Sequence, residues 1–418
     1  MKSFRIETPS IQNWSCHGCT ACCRGGMMIE LSDEEKRRIE KQGWTKADGV
    51  DPATMIVAKK GHFRLGHQSD GACVFLDAAG RCRIHSRFGE PAKPRACRLY
   101  PLTLHPVAKK LVVGVRFSCP SAADNAGKPL SDQIPALRAL AELVVPEGFA
   151  GFPAPAILQE AGLDWPDFMR FVSWLDKTLS SEKQPVALKL QRALHWLGAV
   201  EKAEFDQLSG READEILGVL SQHAAAELPS AAEAPTAPTR MERLLFRTLV
   251  FTYARRDSIQ DLNAGFGYRG GMLWSMLRMA GASGRVPDLI PGLKPVRFTA
   301  IERSFGPLPS SAEATLTRFF RVKIQSLHFC GRAFYGMPLI EGFQNLALLY
   351  PVIIWLARWR AAAEERSSLT DEDIQRGISL ADHHHGYSPI LAAPWSRRRV
   401  RLLAQRDGIS KLCGTYAS

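Results

Sequence analysis

The sequence has little that belongs to a secreted or membrane-spanning chain. Its opening stretch, MKSFRIETPSIQNW, holds no apolar run of signal-peptide length, so nothing there points to export. The longest apolar run, Leu346 to Ala357, is shorter than a bilayer requires and is broken by Pro351. The expectation is a soluble cytoplasmic protein with no transmembrane segment. No internal repeat is present, which argues against a repeat array. An acidic excess is also missing, since 54 Lys and Arg stand against 42 Asp and Glu, for a net charge of +12. That balance admits an acidic partner or a protein substrate without requiring either.

Cysteine is abundant, and it is concentrated. Eight of the ten cysteines fall between Cys16 and Cys119, beginning with Cys16, Cys19, Cys22 and Cys23 in WSCHGCTACCRGG and continuing with Cys73, Cys82, Cys97 and Cys119. Thiolates are soft ligands for zinc and iron, and two intervening residues let successive sulfurs turn back on one ion or cluster. In a reducing compartment such a cluster points to metal ligation before disulfides. Eight thiolates exceed one tetrahedral ion, so they can fill two sites or one site plus spare thiols. His17, His85 and His105 are possible substitute ligands. Arg24, Arg81, Arg83, Arg95 and Arg98 lie beside cysteines and are expected to offset their negative charge.

The charge divides the chain. Residues 1–130 carry 21 basic and 12 acidic side chains, 131–239 carry 8 and 16, and 240–418 carry 25 and 14. With the local patterns, this gives four expected segments: a Cys-cluster domain over 1–130, an acidic helical segment over 131–223, an Ala/Pro-rich linker or loop over 224–238, and a basic helical domain over 239–418. Within the first, Ser32 and Glu35 have capping-box spacing for a short helix ending near Gly43. Residues 51–76 read as short hairpin strands, and CVFLDAAGRCRIH reads as two strand fragments whose turn joins Cys73 to Cys82. The prolines of GEPAKPRACRLYPLTLHP exclude a long helix, and KKLVVGVRFSCP is a strand expected to deliver Cys119 to the site.

Beyond residue 130 apolar residues recur at helical spacing, with Trp165, Phe168, Phe171, Val172 and Leu175 along one face. Thr239 and Thr370 are N-cap candidates. LTRFFRVKIQSLHFCGRAFYG and LIEGFQNLALLYPVIIWLARWRAAAEE each read as a long, largely buried helix. The fold class expected is therefore mainly α (α+β), an irregular metal-binding N-terminal domain with short strands followed by a larger helical region.

Four further stretches carry residue types capable of chemistry. Gly265, Gly267 and Gly270 form a GxGxxG string, but the text before them is polar rather than a buried strand, so a loop between helices is preferred to a nucleotide or S-adenosylmethionine site. His383, His384 and His385 are candidates for acid-base work or metal binding, at most two of them sharing a site, against a helix C-terminal cap. His328 and Cys330 read as core residues. The terminal SRRRVRLLAQR reads as a docked helix with solvated arginines in preference to a nucleic-acid-binding segment, because no RNA-binding signature or aromatic platform accompanies it.

CHGCTACC, CVFLDAAGRCRIH, GEPAKPRACRLYPL and FSCP together resemble the CxxCxxCC cysteine-cluster family, a zinc- or iron-chelating domain, over roughly residues 14–121. The resemblance implies that Cys16, Cys19, Cys22, Cys23, Cys73, Cys82, Cys97 and Cys119 are candidate ligands for zinc or an iron-sulfur cluster. The domain also occurs in flagellin lysine-N-methylases, which implies S-adenosylmethionine-dependent lysine methylation as an alternative activity.

Overall fold

The computed structural model describes residues 4–25, 27–59, 61–158, 162–182, 184–203, 208–228, 236–255 and 266–418. The described residues are mainly helical, and all their strands lie between Arg5 and Val115. Among the described residues there are six strands: β1 Arg5–Glu7, β2 Glu30–Leu31, β3 Ile56–Lys59, β4 His62–Leu65, β5 Leu102–Val107 and β6 Lys110–Val115. They form two small sheets, ordered β1-β6-β5 and β2-β4-β3. Only the β1–β6 pairing is parallel; the β5–β6 and β3–β4 hairpins and the β2–β4 pair are antiparallel. Pro106 sits in β5, an edge strand, where a missing N–H is tolerated.

Local sequence sets several helix starts. Ser32 accepts from the Glu35 N–H while Glu35 accepts from the Ser32 N–H, opening helix Asp33–Glu40. The same reciprocal cap opens helix Arg240–Ala254 from Thr239 and Glu242, and helix Asp371–His384 from Thr370 and Asp373. Along helix Trp165–Leu179, Phe168, Phe171, Val172 and Leu175 are buried while Trp165 is partly exposed.

Other expectations change. The long helix read through SLHFCGRAFYG ends at Gln325, and Leu327 takes a positive φ of 56° that no helix continues through. The stretch from Leu339 breaks into helices Leu339–Ala347 and Leu349–Ala363, because Pro351 has no N–H to return to the Ala347 carbonyl. Together they are long and apolar enough to cross a membrane, yet 94% of the apolar window is buried inside the fold. Ala224–Glu227, the first residues of the expected linker, finish helix Gly210–Glu227; residues 229–235 of that stretch lie outside the described residues. Instead of two strand fragments, the segment around Cys73 and Cys82 makes isolated bridges, His67 to Cys73 and Leu76 to Cys82, and then enters helix Arg83–Phe88.

Two apolar cores result. The smaller contains Leu31, Ile39, Trp44, Val50, Met55, Leu65, Val74, Phe75 and Ile84, with Cys73, Cys82 and Cys97 packed against it. The larger takes in the helices and also the β1-β6-β5 sheet, including Phe4, Leu111, Val113 and Phe117. Arg318 ties the segment after β6 to this core by donating to the Ala122 and Ala123 carbonyls.

Candidate metal centre

Five of the eight clustered cysteines line one cavity on the small core: Cys22, Cys23, Cys73, Cys82 and Cys97. Short-range geometry explains how segments so far apart in sequence meet there. Cys22 and Cys23 lie on the single-turn helix Ala21–Arg24, and the Cys23 carbonyl accepts from the Cys73 N–H at 2.8 Å. Phe75 accepts from the Arg83 N–H at 2.8 Å, closing the turn that brings Cys82 back beside Cys73. Cys97 arrives on helix Arg95–Leu99, which Glu35 anchors by accepting the Arg95 N–H at 2.6 Å. The capping carboxylate of helix Asp33–Glu40 thus also positions a candidate ligand.

The remaining wall is mostly apolar, with Met27, Ile29, Leu65, Phe75, Ile84 and Tyr100, plus His67 and Lys93. Burial pushes the Cys73 thiol up to about 11 and the Cys97 thiol up to about 12, and neighbouring sulfurs add to both. Cys22 is raised chiefly by its hydrogen bond with Cys23 and secondarily by burial. Several thiolates crowded in such a place repel one another, and a cation among them removes the conflict. The Cys22 and Cys23 Sγ atoms are 3.8 Å apart. Two sulfurs of a tetrahedron, each ~2.3 Å from one ion, are separated by about 3.8 Å. Donor type, mutual repulsion and spacing all fit a metal.

The other three clustered cysteines lie outside this cavity. Cys16 and Cys19 are exposed; Cys119 is buried in the larger core, near Cys19 and against Trp14. Strand β6 ends at Val115 and carries its chain into the helical core, so Cys119 does not join the five. Of the proposed substitute histidines, His17 is exposed, His85 lies on helix Arg83–Phe88, and His105 turns into the helical core. His67 does face the cavity, accompanied by a 3.2 Å contact between its Nε2 and the Met27 carbonyl. Sequence reasoning passed it over because it stands outside the cysteine motifs; its bridge to Cys73 is the signal that places it.

Four of the five arginines beside cysteines pair with carboxylates, while the Arg83 guanidinium lies against Gly49. Arg24 pairs with Asp70, Arg81 with Asp77, Arg95 with Glu35 and Arg98 with Glu90. Lys93 is the cation on the cavity wall, and its charge favours the thiolates of Cys22 and Cys97.

The remaining candidates lie in the helical region. Gly267 and Gly270 are inside helix Phe266–Gly281 rather than in a loop or a strand-to-helix turn, while Gly265 lies outside the described residues. Val400 and Leu403 of helix Pro394–Ala404 are buried, Leu402 is exposed, and Arg397 and Arg401 pair with Glu341. His383 and His384 occupy the last turn of helix Asp371–His384. His385 is fully buried, with its ring 4.4 Å from that of Phe334 and its Nδ1 3.5 Å from the Tyr253 hydroxyl.

His385 belongs to a polar cluster with His328, Lys323 and Asp382, all buried, and with the partly buried His105. Lys323 Nζ donates to His328 Nδ1 at 2.8 Å and pairs with Asp382, while His105 Nδ1 donates to the Ser326 carbonyl at 2.5 Å. Gly386 is needed beside it, since its φ is +80° and a Cβ there would stand 2.5 Å from His328 Nε2. Burial pulls His105 down to about 4 and His385 down to about 3, and His328 also falls well below its ordinary value for the same reason. The native state therefore refuses protons that an unfolded chain takes up near pH 6.5. Stability should hold above about pH 7 and fall between about pH 6.5 and 4, by ~1.4 kcal/mol per pH unit per histidine. Urea unfolding at pH 7, 6 and 5 checks this: His105→Gln should lower the slope by one proton, and an unchanged slope would contradict the assignment.

Residues 15–120 match the model of the family described as "CxxCxxCC: Putative zinc- or iron-chelating domain". No curated protein and no solved structure matches the chain.

Proposed function

We propose that the chain is a metalloprotein in which four of the five cavity cysteines (Cys22, Cys23, Cys73, Cys82 and Cys97), with Cys73 and Cys97 among the four, hold one zinc or iron ion as a structural centre. The observation that carries this reading is the convergence of five thiols from four separate segments on one largely apolar cavity. Four thiolates saturate a tetrahedral ion and leave no open position, the arrangement of structural sites, and the ion would supply folding energy to the small core. The 3.8 Å Cys22–Cys23 spacing favours two sulfurs on one ion. In a [4Fe–4S] cluster each sulfur would serve a different iron and the pair would stand farther apart.

Anaerobic purification followed by metal and sulfide analysis tests the proposal. About one zinc or iron per chain without acid-labile sulfide is expected, with that ion lost in Cys73→Ser and Cys97→Ser and retained in Cys16→Ser. Acid-labile sulfide with two or more irons per chain would replace the single ion by an iron-sulfur cluster. Full metal content in both Cys73→Ser and Cys97→Ser would remove these residues from the site.

A further inference from the structure

We propose a second metal site, separate from the cysteines, in which His195, His223 and Glu227 bind a divalent transition-metal ion at the surface of the acidic helical segment. His195 projects from helix Val186–Lys202, and His223 and Glu227 from helix Gly210–Glu227, neither of which contains a cysteine. His223 and Glu227 are four residues apart, the spacing that puts two helical side chains on one face. The packing of the two helices then brings His195 to them.

The three ligand atoms lie within 4.8 Å of one another. His195 Nε2 is 2.9 Å from one carboxylate oxygen of Glu227, and His223 Nε2 is 3.0 Å from the other. Two imidazoles thus turn the same nitrogen toward a shared carboxylate. An ion bound ~2.0–2.2 Å from each donor would need those atoms about 3.4 Å apart, a small adjustment for exposed side chains. The side chains are 39%, 61% and 48% exposed, so an ion can enter from solvent and keep water in its remaining positions. Two imidazoles and one carboxylate favour zinc, nickel or copper over magnesium or calcium, which prefer all-oxygen sites. The surrounding segment, 131–239, carries 16 acidic against 8 basic residues and so attracts cations.

The test is calorimetric titration of Ni²⁺ into the full-length protein with its thiolate centre already filled. Wild type should take up one further equivalent without sulfur-to-nickel charge-transfer absorption, and excess Mg²⁺ should not compete. His195→Ala, His223→Ala and Glu227→Gln should each weaken that uptake by at least the ~10–100-fold that loss of an outer-shell partner costs. Retention of the thiolate-bound ion and of the circular-dichroism spectrum would show that the variants are folded. No further equivalent in wild type, undiminished uptake in His195→Ala and His223→Ala, or charge-transfer absorption showing sulfur ligation would overturn the site. Effective competition by Mg²⁺ would overturn the ion class.

Discussion

Stripping the thiolate-bound ion should unfold the small core around Trp44 and Phe75 while leaving the helical region folded, and Cys73→Ala should do the same. The small core has nine buried apolar residues, and the β2-β4-β3 sheet beside it is built from strands of two to four residues. A core in this size class rarely supplies more than ~3–5 kcal/mol, whereas a structural zinc ion contributes about 10–16 kcal/mol of apparent binding energy that becomes folding energy. The ion therefore outweighs the apolar contribution. The helical region has an independent source of stability in its much larger core, where Trp196, Trp355, Phe319 and Tyr350 are fully buried. Hydrogen exchange before and after chelation measures both parts at once. Protection of Leu65, Val74 and Ile84 amides should fall to that of an unfolded chain, and protection in helix Leu349–Ala363 should persist. Equal protection of the small core with and without metal would sink the idea that ligation holds it together.

What the sequence made legible was local or chemically distinctive. The caps at Ser32, Thr239 and Thr370 could be read because each satisfies a helix N-terminus through a partner three residues away. The cysteines could be read because thiols clustered at short spacing have few bland explanations. The partition of those cysteines was hidden, because it depends on tertiary docking. Once β5 and β6 join the helical core, with His105 bonded to the Ser326 carbonyl, Cys119 is carried with them and away from Cys73 and Cys97. The charge roles were hidden for a related reason. Arginines beside cysteines in sequence find carboxylates nearer in space, and Lys93 reaches the thiols instead. The pairing of His195 with His223 and Glu227 likewise required knowing which helices pack together.

Asp382→Ala should be among the most destabilising single substitutions in the helical region, costing ~3–5 kcal/mol. Both members of the Lys323–Asp382 pair are fully buried. Burial alone would raise the Asp382 carboxyl, but the charges of Lys323 and Arg116 hold it below the ordinary carboxylate range. Burial draws Lys323 below its usual value, and Asp382 works against that shift. Removing the carboxylate leaves Lys323 beside Arg116 in a water-excluded place with no counter-charge, so that it must either hold its charge at that cost or give up its proton, and it also strips an acceptor from the Ser118 N–H, 3.0 Å from Asp382 Oδ2. Replacing both members at once, as Lys323→Met with Asp382→Leu, removes the orphaned charge and should recover most of the loss. Recovery should stop short of wild type by about 1–3 kcal/mol, because the Ser118 N–H still has no acceptor. A double-mutant cycle of Lys323→Met, Asp382→Leu and the two together, followed by urea unfolding, isolates the pair from this backbone contribution. Because Ser118 and Arg116 follow β6 and Asp382 ends a distant helix, the loss should also loosen the hairpin, read as faster exchange of the Val113 and Val115 amides. A cost below about 1 kcal/mol for Asp382→Ala would mean that the pair is solvated in solution and does not bind the hairpin to the helices.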